Sequence, residues 1–265
     1  MPSGNSRAFA EERRAAIMAM LERDASVQVA DLARSFGVSS VTARGDLDAL
    51  AADGKLRRTH GGAVSLQRAL TVSVQDRRVN VNVGAKQAIA RAALGLVESG
   101  DTVLVDSGTT ALEFVRLLDM RMGITVITAD ITIGDYIDES MPSVDCMLLG
   151  GSLRKGHRYL YGPLTLQALG MVHADLAVIC PGSFIPARGF MTDFPQMAEL
   201  KHAMLNAARR RAVLLDAAKV DSRGVMRVAQ LPDVDVIVMN EDPEGIVATA
   251  IEALPEGTRR PQLIA

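Results

Sequence analysis

The sequence predicts an α/β protein in two parts: a small helical unit closed by a hairpin, and a larger open, largely parallel sheet covered by helices. Three observations carry this reading. The hydrophobic period is helical from Phe9 to Asp53 and then stops. From Ala85 onward, short aliphatic runs alternate with helical stretches. The charge is also split. Residues 1–80 hold 12 Lys and Arg against 9 Asp and Glu, and the rest of the chain holds 17 against 22.

Composition narrows the class before any motif is read. The chain has 265 residues, 48% hydrophobic and 23% charged, with six Phe, three Tyr and no Trp. The cores must therefore be aliphatic. No apolar run approaches the length of a membrane-spanning helix, about 18 residues. The opening MPSGNSRAFAEERRAA lacks the apolar centre of a secretory leader, so a cytoplasmic location is expected. Cys146 and Cys180 lie in apolar, strand-like runs and are expected as buried free thiols. No His, Cys or carboxylate cluster has metal-ligand spacing, and no cofactor is expected.

In the first part, Phe9, Ile17, Met20 and Leu21 face one way on a first helix. Asp31 to Phe36 predicts a short second helix, stopped by Gly37. Ser39 fits as the N-cap of a third, because its hydroxyl accepts from an unpaired backbone N–H. On a helical wheel Ala43, Leu47, Leu50 and Ala51 form an apolar stripe, and Arg44, Gly45 and Asp48 fall on the opposite face. KLRRTHGGAVSL follows, two extended runs flanking His60-Gly61-Gly62, which predicts a tight hairpin. Three short helices and a hairpin make a winged helix-turn-helix over residues 1–66. Residues 67–84 read as a linker, and 85–265 as the α/β domain.

This arrangement points to duplex DNA. Arg44 and Thr42 project from the first turns of the third helix, where a recognition helix meets the major groove. Arg44 suits a bidentate contact to guanine, and Ser39, Ser40 and Thr42 suit phosphate or base. Gly54 to Gln75 carries Lys55, Arg57, Arg58 and Arg68 with no acid. Of these, Lys55, Arg57 and Arg58, with His60, are candidates for the flanking backbone or minor groove.

The segment VQVADLARSFGVSSVTARGDLDALAADGKLRRTHGGAV resembles the N-terminal signature of the DeoR family of bacterial regulators. The resemblance rests on Asp31, Leu32, Ala33, Phe36, Val38, Ser39, Thr42, Arg44, Asp46, Leu47, Leu50, Arg58 and His60 to Ala63. It departs at Ala43, where the family usually has Ile, and at Gly45, where it has a second Arg.

In the second part, strands are predicted at 102–106, 124–128, 144–149, 176–180, 212–216 and 234–239, and helices at 86–97, 111–118, 165–172, 196–209 and 244–254. Asp106-Ser107-Gly108-Thr109-Thr110 follows the first strand. A helix start offers free N–H groups, the hydroxyls add donors, and Gly108 allows close approach, which suits a phosphate ester. The P-loop spacing and its lysine are absent. Gly150 and Gly151 follow the third strand with Arg154 close behind, and Asp216 and Lys219 follow the fifth. Ligands in open α/β sheets gather at carboxyl ends of strands, so these positions are candidates for one effector site.

The resemblance continues here through Lys86, GDTVLVDSGTT, TVIT, LLGG, Gly162 and DAAK. It implies a sensor domain resembling sugar-phosphate isomerases, and a phosphorylated sugar or related metabolite as effector. It departs after Thr128, where the family usually has Asn and this chain has Ala129-Asp130, at Met197, where it often has Glu, and in CPGSFIPARGF. The resemblance as a whole implies a repressor of carbohydrate genes that binds operator DNA as a homodimer or homotetramer.

Two other readings compete. An isomerase needs a placed acid and base. Asp106, Asp193, Glu199 and Asp216 are the nominees, but no paired motif anchors them, and His157, His173 and His202 are scattered. The other is a regulator whose DNA binding is weakened by Gly45.

Overall fold

The computed structural model describes residues 4–24, 26–59, 61–65, 81–242 and 244–265. Contacts divide the chain into two units, residues 1–72 and 73–265. His60 and residues 67–80 of the expected linker lie outside the described residues.

In the first unit α1 (Gly4–Asp24) leads to β1 (Ser26–Gln28), α2 (Val29–Phe36), α3 (Ser40–Ala52), β2 (Leu56–Arg58) and β3 (Gly62–Ser65). The second helix begins two residues earlier than expected and ends as expected on Gly37, whose φ of 63° is the left-handed C-cap. Ser39 caps α3, its hydroxyl accepting from the Thr42 amide at 3.1 Å. The hairpin forms, and β1 adds a third strand that period alone did not reveal, giving the order β1-β3-β2. Gly62 is fixed by that extra strand, because a Cβ there would run into the Val27 carbonyl. Ile17, Leu21, Leu32, Ala43, Leu47, Leu50 and Leu56 fill the core.

The first unit also contains one buried charge cluster. Asp46 is only 3% exposed and faces the core side of α3. It accepts from Arg13 at 2.5 Å and Arg14 at 3.1 Å, which ties α3 to α1. A carboxylate so buried is tolerable because two guanidiniums meet it.

The second unit opens on α4 (Val83–Leu94), so the expected linker ends inside a helix. It continues with β4 (Thr102–Val105), α5 (Thr109–Val115), β5 (Thr125–Thr128), α6 (Ile131–Ser140) and β6 (Asp145–Leu148). Next come β7 (Ser152–Arg154), β8 (Tyr159–Tyr161), α7 (Pro163–Leu169), β9 (Ala174–Ile179), β10 (Ser183–Ile185) and β11 (Gly189–Thr192). The chain closes with α8 (Pro195–Asn206), β12 (Ala208–Leu215), β13 (Met226–Ala229), β14 (Val236–Met239), α9 (Ile246–Glu252) and β15 (Gln262–Ile264).

Seven strands form one sheet in the order β15-β14-β12-β9-β4-β5-β6, every pairing parallel. Side chains alternate across it. Leu104, Ala177, Ile179, Val213 and Ile237 pack under α7, α8 and α9. Val103, Val105, Leu176, Val178, Ala212 and Val238 pack under α4, α5 and α6. Both faces are buried, which is why the strands read as continuous aliphatic runs.

Helix α6 was not anticipated. Its sequence ITIGDYIDES is rich in β-branched residues and holds Gly134, yet Asp130 caps it through the Thr132 and Ile133 amides. The Gly134 position lies against the Leu148 side chain of β6. CPGSFIPARGF becomes a hairpin of β10 and β11, joined by β13. Cys146 corrects an expectation. It is exposed, because β6 is the sheet edge and all four of its residues face outward or lie open. Cys180 is buried as expected.

Candidate functional site

The exposed face of α3 carries Ser40, Val41, Thr42, Arg44 and Gly45, while Ala43, Asp46 and Leu47 are buried. Ser39 and Thr42 are also exposed, but their hydroxyls bond each other at 2.9 Å. Val41 is 75% exposed, an apolar side chain beside the polar ones. A Cβ added at Gly45 would meet nothing within 4 Å. The glycine is therefore no packing requirement, and its open side is the one Arg44 shares.

On the wing, Lys55 is exposed and 3.6 Å from Asp53. Arg58 has partners within the unit. Its Nε donates to Asp48 of α3 at 2.6 Å, and a terminal nitrogen donates to the Gly62 carbonyl. Arg58 thus braces the wing against α3. The Arg57 side chain and His60 lie outside the described residues.

In the second unit, turns after the parallel strands surround a cavity of about 490 Å³. Ser107, Gly108, Thr109, Thr110, Arg154, Asp216 and Lys219 line it, as expected from three strand ends. Lys86, His157, Tyr159, Phe194, Met197 and Lys201 line it as well. Four cationic side chains thus reach one cavity from four elements: α4, β7, α8 and the turn after β12.

Lys201, Lys219 and Arg154 are held in place. Lys201 donates to the Asp106 carboxylate and, at 2.9 Å, to the Cys180 carbonyl. Lys219 donates to the Pro181 carbonyl at 3.0 Å. The Arg154 guanidinium lies 3.9 Å from the Phe194 ring centroid and donates to the Tyr159 hydroxyl at 2.6 Å. Stacking and that bond fix its plane and leave other N–H groups of the fork for a ligand.

Three candidates do not line the cavity. Asp106 is 2% exposed, and its Oδ2 accepts from Lys201 and from the Cys180 amide, at 2.8 Å in the latter case. It anchors the lysine from behind. Gly150 and Gly151 serve the β7–β8 hairpin instead. A Cβ at Gly151, where φ is 151°, would collide with Thr165 and the Tyr161 carbonyl. Thr165 in turn donates to the Gly150 carbonyl at 2.7 Å. Asp216 does line the cavity, but both its oxygens are engaged, by the Ala218 amide and by Asn82.

The two departures near the site have physical consequences. Asp130 is fully buried, and its carboxylate turns to the α6 cap and to the Gly108 amide at 3.2 Å. One amide of the 106–110 turn is thereby spent on a protein carboxylate. Met197 puts a thioether where a carboxylate would repel an anion. Burial pushes the Tyr159 phenol up to about 12 against the opposing pull of Arg154, so at neutral pH it keeps its proton. Burial likewise pushes the Cys180 thiol to about 12, with the Asp106 charge adding to the effect.

The lysines that site prediction missed did leave a signal. Lys86 shares the helical stripe of Ile89, Ala90 and Ala93, and Lys201 shares that of Met197, Leu200, Met204 and Leu205. A lysine on an apolar stripe must be paired or aimed at an anion.

A model of the DeoR-like helix-turn-helix domain matches residues 13–69, and one of the DeoR C terminal sensor domain matches residues 81–241. The chain belongs to the DeoR family. It is a DNA-binding transcriptional regulator, from a family of regulators and not of enzymes. It is 32% identical to the transcriptional repressor AccR of Agrobacterium fabrum (strain C58), over 96% of this chain and 97% of that one. It is 29% identical to an L-fucose operon activator of Haemophilus influenzae, over 83% and 88%. Among solved structures, ribose 5-phosphate isomerase A from Methanocaldococcus jannaschii overlaps 52% of this DeoR chain and 55% of its own, with a TM-score of 0.39 and 15% identity. No helix among the described residues is long and apolar enough to cross a membrane.

Proposed function

We propose that this DeoR regulator is a cytoplasmic repressor of carbohydrate genes, released from its operator by a phosphorylated sugar or related metabolite. The observation that carries the reading is the convergence of Lys86, Arg154, Lys201 and Lys219 on one cavity. Cations fixed by stacking and hydrogen bonds, with hydroxyls of Ser107, Thr109 and Thr110 beside them, are what a phosphate ester requires. The cavity exceeds a bare phosphate and leaves room for a sugar. The AccR relative is a repressor by name, and the H. influenzae relative serves an L-fucose operon, which supports the sugar assignment.

In this reading Arg44 reads a guanine, Val41 meets a thymine methyl, and Ser39, Ser40, Thr42 and Lys55 contact phosphate or base edges. Arg57 and His60 supply wing contacts, and Arg58 sets the wing's angle through Asp48. A single recognition helix gives modest affinity, so the chain acts as a homodimer or homotetramer on paired half-sites.

The test is a thermal-shift comparison of free sugars with their phosphate esters on the full chain, followed by operator retardation. A phosphate ester at about 100 times its Kd adds about 2.7 kcal/mol of stability, whereas the matching free sugar adds little. The reading fails if no ester raises the melting temperature. It also fails if an ester binds and operator affinity does not change.

A further inference from the structure

We propose that the hydrogen bond between Asn82 and Asp216 is the latch that carries the state of the cavity wall to the DNA-binding unit. The proposal rests on the cavity being the effector site and adds how its occupancy is transmitted.

The described part of the first unit ends at Ser65, and the described chain resumes at Val81. Val81 and Asn82 are themselves cavity wall. The segment that leads from the DNA-binding unit therefore enters the sensor unit at the ligand cavity. Asn82 stands at the N-cap of α4. An asparagine there ordinarily spends its side chain on its own helix. Asn82 makes no such cap. Its backbone sits in the left-handed region, with φ 53° and ψ 42°, a conformation asparagine tolerates better than most residues. Its amide nitrogen instead donates to Asp216 Oδ2 at 3.2 Å.

Asp216 is engaged on both sides. Its other oxygen accepts from the Ala218 amide at 3.0 Å and holds the turn Ala217–Lys219. Lys219 lies on that turn and lines the cavity. Lys86 lies on the first turn of α4, its amide bonded to the Asn82 carbonyl at 3.1 Å, and lines the cavity too. One carboxylate thus joins the two turns that present these lysines. An anion drawn to both lysines loads this bond, and the backbone on its far side runs back to the DNA-binding unit.

Exchanging the two residues tests the latch. Asn82→Asp sets two carboxylates against each other and opens it. Asn82→Gly removes the amide and keeps the left-handed backbone without strain. The double variant Asn82→Asp with Asp216→Asn restores the bond with donor and acceptor reversed. Affinity is measured on the full chain for a duplex that the wild type selects from a random library, with no sugar phosphate present. Both single variants are expected to change the Kd by about fivefold or more, Asn82→Gly at a melting temperature close to wild type. The double variant is expected to return to within about twofold of wild type. The proposal is overturned if both single variants bind like wild type, or if the exchange leaves the Asn82→Asp shift in place. A loss of affinity that tracks a lowered melting temperature, unrelieved by the exchange, also overturns it. Because no ester is added, these results stand apart from any failure of the sugar-phosphate assignment.

Discussion

Replacing Gly45 by alanine is expected to stabilise the DNA-binding unit with no change in its core. The position is the sixth of thirteen residues in α3, is exposed, and has no neighbour within 4 Å of a new Cβ. Its φ is not among the positive ones, so alanine is unstrained there. What remains is the intrinsic cost of glycine in a helix interior, about 1 kcal/mol. For a unit of this size that raises the melting midpoint by about 4–8 °C. Calorimetry of the full chain reads it as a shift of one transition. Gly45→Arg gains nearly the same helix stability and adds a cation on the face that Arg44 occupies. Its DNA affinity is expected to rise, and log Kd against log salt to steepen by about 0.9 relative to Gly45→Ala. Equal salt slopes for the two variants would show that position 45 does not approach the duplex. A lower midpoint for Gly45→Ala would refute the helix-propensity argument itself.

Four further outcomes are expected. Asp46→Ala removes the charged hydrogen bonds that tie α1 to α3, and denaturant unfolding should show a loss of about 2 kcal/mol in the first unit's transition. Lys201→Met leaves the Asp106 carboxylate buried without its cation and should cost about 3–5 kcal/mol, largely recovered by adding Asp106→Leu. Arg154→Lys removes the stacked fork and keeps the charge, so phosphate-ester affinity should fall while the melting temperature of the unliganded chain holds. Cys180 keeps its proton in the folded state up to about 12, whereas the unfolded thiol titrates near 9.0. Unfolding in that window releases a proton, so stability is intact below it and falls as pH rises, by up to about 1.4 kcal/mol per unit. Unfolding titrations of Cys180→Ala should show a shallower alkaline decline, and alkylation near pH 8 should mark Cys146 and spare Cys180.

Much of the fold was legible because period and punctuation agreed. Gly37 and Ser39 bounded helices as their chemistry dictates, and the aliphatic runs became parallel strands. The extra strand at Ser26–Gln28 was not legible, since three residues carry no period and gain meaning only by pairing with Gly62 to Val64. Helix α6 was hidden by its β-branched residues and revealed only by the Asp130 cap. At the cavity, Ser107 to Thr110, Arg154 and Lys219 were found from strand ends, because that location follows from sheet topology. Lys86, Tyr159, Lys201 and Phe194 were missed as site residues because they arrive from helices and a hairpin whose packing no local pattern encodes. The ion pairs of Asp106 and Arg58 were unseen for a similar reason. Each has a partner within the protein, Lys201 for the one and Asp48 for the other.

The division of labour in the sheet unit has a hereditary consequence. The residues that clamp the seven strands together are aliphatic and inward, whereas His157, Asp193, Lys219 and Ser222 reach the cavity from turns outside those cores. Substitutions at these turns change the wall of the chamber and leave the strands that support it untouched. On the proposed function, copies of such a gene can therefore diverge in the effector they answer to, generation by generation, on an unchanged scaffold.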